Sequence, residues 1–256
     1  MAVTLDDEER ARYARQIILR EIGGSGQRRL KAATVAVIGA GGIGSPAILY
    51  LAAAGIGRLR IIDPDRVDRS NLQRQILFDG DDIGIPKASR GATAAMRKNP
   101  HAIAEAIVDR ITDQNAATLL AEADVVLDGC DNFATRLAVA DCAQALRIPL
   151  VSAAVGQFEG QLGVYRGWEA DKPCYRCLVG ATPDRDELTC ADQGILGPVT
   201  GILGSMAALE AIRAVTPFGE DHAGRLTLVD LLDLRFRTIR VAKDPGCPAC
   251  GVTSAD

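Results

Sequence analysis

Histidine is nearly missing from this chain. Only His101 and His222 occur, neither in a motif, so both read as structural or surface side chains. Net charge is also small. The 29 Lys and Arg against 33 Asp and Glu give −4, without the basic footprint of a nucleic-acid or anionic-membrane binder. Residues 1–12 are acidic and lack an apolar stretch, so no secretory signal is expected. The most apolar later segment, Ile195 to Val215, is interrupted by Gly197, Pro198, Glu210 and Arg213, which argues against a membrane span. Internal repeats and low-complexity tails are absent from the sequence, and a composition of 48% apolar and 24% charged residues leaves no room for a long disordered region. Cysteines number seven, too few and too odd for a dense disulfide scaffold. Four of them form two Cys-x-x-Cys pairs, which points to a metal in a reducing compartment, the cytoplasm by default.

What is present begins with alternating elements. The 256 residues suffice for one large α/β domain or two small ones. Asp6 to Arg20 reads as an amphipathic helix and Gly23 to Gly26 as a flexible turn. Lys31 to Asp63 reads as a β-α-β unit, followed by a long polar loop to Pro86. Helices are expected over Lys87–Lys98, Asn115–Ala121 and Thr135–Arg147, and strands over Ala102–Val108, Asp124–Asp128 and Pro149–Val155. Beyond Gly156, Gln161–Tyr165 and Arg225–Val241 suggest antiparallel strands around a small-residue helix, Pro198 to Val215. The expected fold is α/β: a doubly wound, Rossmann-like, mostly parallel sheet continued by antiparallel strands. One domain spans 1–256, with a helical segment (1–30), a nucleotide-binding half (31–155) and a second half (156–256) sharing one core.

The most informative stretch runs from Val35 to Phe78. A β-branched strand meets Gly39, Gly41, Gly42 and Gly44, and an Ala/Leu-rich helix follows. Backbone N–H groups and a helix N-terminus then face a phosphate. The next apolar strand delivers Asp63, placed to hold ribose hydroxyls. A dehydrogenase would share these features. It would give no task to the Ser70–Gln75 segment with Asn71 and Arg74, or to Lys87; two fixed cations beside a nucleotide suggest a triphosphate. If a carboxylate attacks the α-phosphorus of ATP, anion meets anion and the site must neutralise both. Arg74 and Lys87 could do so, with Asp131 holding magnesium at a strand's carboxyl end. Asp128 is its rival, with a turn-capping role as the alternative. A carboxylate nucleophile is already ionised near neutrality, which fits the scarcity of histidine.

Cys174-x-x-Cys177 and Cys247-x-x-Cys250 could supply the four thiolates of a closed structural zinc site, tying the tail to the middle of the chain. Redox pairs or disulfides are the alternatives. Cys190, after the charged run Asp184 to Glu187, is either a nucleophilic thiol or an unreactive loop cysteine. Cys130 and Cys142 read as small buried hydrophobes.

Taken together, these residues resemble the ThiF/MoeB/HesA adenylyltransferases, relatives of the ubiquitin-activating enzymes. The resemblance runs from Arg12–Gln16 through Gly39–Gly44, Asp63, Ser70–Gln75, Pro86-Lys87 and Asp131-Asn132 to Pro173–Cys177 and Pro245–Cys247. It implies an enzyme that uses ATP and magnesium to adenylate the terminal glycine of a small β-grasp sulfur-carrier protein ending in Gly-Gly, MoaD-like or ThiS-like. A separate sulfur donor would complete a thiocarboxylate, since no fused sulfurtransferase domain is expected after Asp256. It further implies that Asn71, Arg74 and Lys87 hold phosphates and that Asp131 holds magnesium. Arg15 would reach the partner subunit's ATP site in a homodimer, and Cys190 would match a crossover-loop cysteine of sulfur transfer. Gly156 to Gln161 would lie near the carrier's tail. The Arg12–Arg20 and Ser70–Gln75 matches look MoeB-like and favour the molybdopterin branch over thiamine-thiazole synthesis. The competing readings are an NAD-dependent oxidoreductase and a catalytically silent docking module for a ubiquitin-like partner.

Overall fold

Eight strands form one sheet in the order β3-β2-β1-β4-β5-β6-β7-β8. The computed structural model describes residues 3–181 and 194–251. Strands β1 (Thr34–Ile38), β2 (Arg58–Ile62), β3 (Ile103–Ile107), β4 (Val125–Asp128) and β5 (Leu150–Gly156) are parallel. Strands β6 (Glu159–Tyr165), β7 (Arg225–Asp230) and β8 (Arg235–Arg240) continue the sheet antiparallel. β1 pairs with β2 on one side and β4 on the other: Ile38 stands opposite both Ile62 and Asp128. Successive connections therefore leave β1 in opposite directions. This switch point opens a crevice at the carboxyl ends of the strands, where such sheets bind ligands.

The period-2 alternation of the strands divides the core into two layers. Val35, Val37, Leu59, Ile61, Val125 and Leu127 face helices α4 (Gly44–Ala54) and α5 (Lys87–Lys98) and the long helix α9 (Gly197–Val215). Ala36, Ile38, Ile62 and Val126 face α6 (Ala116–Leu120) and α7 (Phe133–Leu146) on the other side. Helix α9 is long and apolar enough to cross a membrane by length and composition. Its Leu203, Ala207, Ala208 and Ala211 are instead packed into the core, as expected of a core helix. The short α8 (Tyr175–Val179) completes the order.

Two expectations at the amino end are corrected. Asp6–Arg20 is not one helix but α1 (Asp7–Arg12) and α2 (Ala14–Ile17), broken at Tyr13. Tyr13 is buried and its hydroxyl accepts a 2.7 Å hydrogen bond from Asn99 Nδ2, so tertiary packing overrides the periodicity. Gly23–Gly26 is not a turn but the first turn of α3 (Gly23–Ala32). Gly23 supplies the positive φ of +59° at the chain reversal, and a Cβ on Gly26 would stand 2.9 Å from Thr216 Oγ1. Gly23 thus serves its backbone conformation and Gly26 a close approach, rather than flexibility.

Helix α4 lies tight against the strand it follows. A Cβ on Gly44 would stand 1.9 Å from the Gly39 carbonyl oxygen. Gly44→Ala should therefore lower unfolding free energy by about 1–3 kcal/mol, read from urea unfolding; an unchanged midpoint would mean that the helix can slide outward freely.

Candidate active site

The crevice at the switch point is a cleft of about 290 Å³. The glycine turn forms its floor, with Gly39, Gly41 and Gly42 lining it. Gly39 adopts φ +85° where its backbone passes Gly129, a conformation natural only to glycine. Gly44 does not line the cleft; it serves the contact of α4 with β1 described above. A Cβ on Gly42 would stand 2.8 Å from Thr200 Cγ2 of α9.

Asp63 follows β2 and is 4% exposed. Its Oδ2 accepts from the Ala40 N–H at 2.7 Å and its Oδ1 from the Asp65 N–H at 2.8 Å. Burial pushes this carboxyl above its ordinary value, against the opposing pull of Lys87 and those two N–H groups. A carboxylate has about four acceptor positions, so lone pairs remain for a ligand hydroxyl.

Lys87, the first residue of α5, is buried but lines the cleft. Its Nζ pairs with Asp65 Oδ2 at 3.0 Å, and its N–H donates to the Asp65 carbonyl at 2.9 Å. Arg74 also lines the cleft, and its Nη1 donates to the Ser70 carbonyl at 3.0 Å. Asn71 lies outside the lining, and its carbonyl accepts from the Arg74 and Gln75 N–H groups. The structure thus brings both expected cations to the cleft with Asp63.

The two rival aspartates separate cleanly. Asp128 is fully buried. Its Oδ2 meets Arg136 Nη1 at 2.8 Å and accepts from Ser152 Oγ at 2.9 Å, while Oδ1 accepts from the Cys130 N–H at 3.1 Å. Asp131 is exposed and lines the cleft. Asn132 then caps α7, its Oδ1 accepting from the Thr135 N–H at 2.8 Å. Arg136 also donates to the Cys130 carbonyl and, at 3.1 Å, to that of Ala153. Burial alone would pull its pKa down; the Asp128 carboxylate reverses that and raises it.

Cys130 and Cys142 are half-buried rather than buried. Cys130 lines the cleft, and burial first, then Asp128, pushes its thiol well above the ordinary value. Arg15 is exposed on α2, away from the cleft of its own chain, with no hydrogen bond or ion pair among the described residues. Cys190 lies outside the described residues. Asp65, Gln75 and Arg136 were not singled out as site residues by the sequence reading. Asp65 could have been found from its place two residues after Asp63; nothing local marks Gln75 or Arg136.

Four sulfurs converge elsewhere. Cys174 precedes α8 and Cys177 lies within it; Cys247 and Cys250 come from the tail. All four Sγ atoms lie within 4.8 Å of one another, with Cys174–Cys247 at 3.5 Å, Cys177–Cys250 at 3.4 Å and Cys174–Cys177 at 3.9 Å. Tetrahedral thiolates at about 2.3 Å from a metal would stand ~3.8 Å apart, so this donor set fits a metal. Tyr175, between the first pair, lines the cleft and packs edge-on to Tyr165 at 5.4 Å.

A model described as the ThiF family matches residues 13–249. The "SAMP-activating enzyme E1" of Haloferax volcanii is 41% identical over 257 residues, spanning 100% of this chain and 94% of that protein. The "Sulfur carrier protein adenylyltransferase" of Thermus thermophilus is 42% identical, covering 95% and 92%. The "Molybdopterin-synthase adenylyltransferase" of Escherichia coli is 39% identical, covering 96% and 98%. Among solved structures, E. coli MccB with ATP superposes with a TM-score of 0.81 at 23% identity, over 93% of this chain and 74% of that one, a likeness of fold.

Asp128→Ala would leave the Arg136 charge buried without its partner. It should lower unfolding free energy by about 3–5 kcal/mol, read by urea denaturation; a loss below about 1 kcal/mol would show that Arg136 does not depend on this carboxylate.

Proposed function

The chain belongs to the ThiF family, and on that premise we propose that it is an ATP-dependent adenylyltransferase acting on the C-terminal Gly-Gly carboxylate of a small ubiquitin-like sulfur carrier. One observation carries this reading: a glycine turn, two cations and an exposed carboxylate share one cleft. A redox dinucleotide would leave Arg74 and Lys87 without a task.

In the proposed reaction a tail carboxylate oxygen forms a bond to the α-phosphorus of ATP. The bond from that phosphorus to the bridging oxygen breaks, and pyrophosphate leaves. Asp63 would hold the ribose through its remaining lone pairs. Gly39, Gly41 and Gly42 let the nucleotide approach the backbone closely. Lys87 would leave Asp65 for the outer phosphates, which Arg74 and Asn71 also contact, and neutralise the charge that develops there. Asp131 would hold magnesium, a hard cation suited to carboxylate oxygen. Sulfur at the sulfide level from a separate donor would then form a bond to the carbonyl carbon of the acyl-adenylate as the bond from that carbon to the AMP oxygen breaks, leaving a thiocarboxylate and AMP. Cys190 would take part in that transfer. A homodimer would bring Arg15 to the partner subunit's cleft. The reading favours a MoaD-like over a ThiS-like carrier, and a cytoplasmic setting that keeps the thiols reduced.

The four-cysteine cluster would hold zinc in a closed, structural role. Comparable sites in small peptides contribute about 10–16 kcal/mol. Cys250→Ser should release the metal, measured by elemental analysis, and speed proteolysis of the C-terminal half. Unchanged zinc content and protease resistance would contradict the assignment.

The function is tested by ATP–pyrophosphate exchange. Exchange should require a carrier with an intact Gly-Gly end and should vanish in Asp131→Ala, whose circular dichroism and unfolding midpoint stay unchanged. No exchange by the wild-type protein with any Gly-Gly carrier would sink the proposal; exchange with the MoaD-like but not the ThiS-like carrier would settle the branch.

A further inference from the structure

Gln75 has no part in the reaction as described, yet its side chain is in an unusual position. It is 4% exposed and lines the cleft, and its Oε1 finds no hydrogen-bond donor among the described residues. A buried carboxamide oxygen without a donor is unfavourable and rare in native proteins. Such a group is completed by a ligand or an ordered water, and this one lines the cleft where the substrates would bind.

The backbone that carries this side chain is held in place. The Gln75 N–H donates to the Asn71 carbonyl at 2.9 Å, and its own carbonyl accepts from the Phe78 N–H at 3.1 Å. Helix α9 wedges the preceding residues: a Cβ on Gly197 would stand 2.3 Å from the Gln73 carbonyl oxygen. On its other side the carboxamide abuts the glycine turn, Nε2 lying 3.6 Å from where a Cβ on Gly41 would be. Ala154, Val155 and Gln161 of β5 and β6 line the same cleft. Gln75 therefore shares one cleft with the glycine turn and with β5 and β6.

The missing partner must be an N–H or O–H group. The triphosphate of ATP at neutral pH offers acceptors only, its ribose hydroxyls fall to Asp63 at the β2 end of the cleft, and its adenine amino group, the remaining donor, lies beyond the ribose from the phosphates assigned to Arg74, the neighbour of Gln75. A Gly-Gly tail has no side chains, so peptide groups are all it presents for recognition. A planar carboxamide, with an acceptor and a donor side by side, is complementary to a peptide group. We infer that Gln75 Oε1 accepts a hydrogen bond from the terminal Gly-Gly peptide N–H of the carrier, which makes Gln75 a substrate-selecting residue of this site. The inference rests on the adenylyltransferase reading above.

The test is Gln75→Met, which keeps the length of the side chain and removes the amide. Pyrophosphate exchange is measured while carrier and ATP are varied separately, beside urea unfolding of the same protein. KM for the carrier should rise about three- to tenfold, the worth of one neutral hydrogen bond, with KM for ATP unchanged. The urea midpoint should stay level or rise, because an unpaired buried polar atom has gone; a purely structural glutamine would lower it. In a second arm, a semisynthetic carrier carries an ester in place of the last peptide bond, which replaces the N–H by an oxygen that cannot donate. The wild-type protein should lose the same three- to tenfold on this carrier, and Gln75→Met should lose nothing further. A raised KM for ATP with an unchanged KM for the carrier, a lowered midpoint with an unchanged carrier KM, or additive losses in the two arms would each overturn the inference. Failure of the adenylyltransferase reading itself is distinct: the wild-type protein would show no exchange with the natural carrier.

Discussion

A guanidinium buried beneath the cleft holds together the pieces on which the cleft's charges are mounted. Arg136 rises from α7 and meets Asp128 of β4, Ser152 and Ala153 of β5, and the Cys130 carbonyl in the loop between β4 and α7. Three chain segments thus converge on one cation. The same loop carries Asp131, so the place of that exposed carboxylate follows from a buried charge pair. Tyr175 and Tyr165 lie close enough to Arg136 to act on its ionisation. Tyr175 in turn follows Cys174 of the four-sulfur cluster, so the tail of the chain is tied to the underside of the same cleft.

Above that foundation the charges are arranged as ready pairs. Lys87 is held at both its Nζ and its N–H by Asp65, an exposed carboxylate that could release the cation to a more strongly charged ligand. Asp63 is held by two backbone N–H groups and kept close to Lys87. In the proposed reaction two anions must come within bonding distance, which water alone opposes. Cations that already line the cleft need only a short side-chain movement, Lys87 from Asp65 to phosphate, to meet the charge that moves onto the leaving pyrophosphate. Packing keeps the backbone that carries them in place: α5 and α9 pack against the sheet through small residues, and Gly42 and Gly44 leave no space for a side chain.

Much of this was legible in the sequence, for physical reasons that differ by element. The β-α-β unit and the helix Lys87–Lys98 follow from strong periodicity and turn chemistry. The two Cys-x-x-Cys pairs could be read as one cluster because thiols at that spacing have few uses. The amino-terminal segment could not be read, because Tyr13 and Gly26 answer to Asn99 and Thr216, residues far away in sequence. Asp128 and Asp131 follow the same apolar strand, and only the inward turn of Asp128 toward Arg136 separates them. Asp65 and Gln75 belong to a polar loop with no period. Their neighbours, Lys87 and Gly41, are brought to them by the crossover from β2 to α5 and by the close approach of that loop to the glycine turn.

A structure of the protein with ATP and magnesium bears most directly on the central claim, that this cleft binds a triphosphate with its charges neutralised by fixed cations. The account predicts the ribose at Asp63, the α-phosphate over Gly41, and the outer phosphates against Lys87 Nζ and the Arg74 guanidinium, with Lys87 drawn off Asp65. Outer phosphates pointing away from both side chains, with the Lys87–Asp65 pair intact, would contradict it.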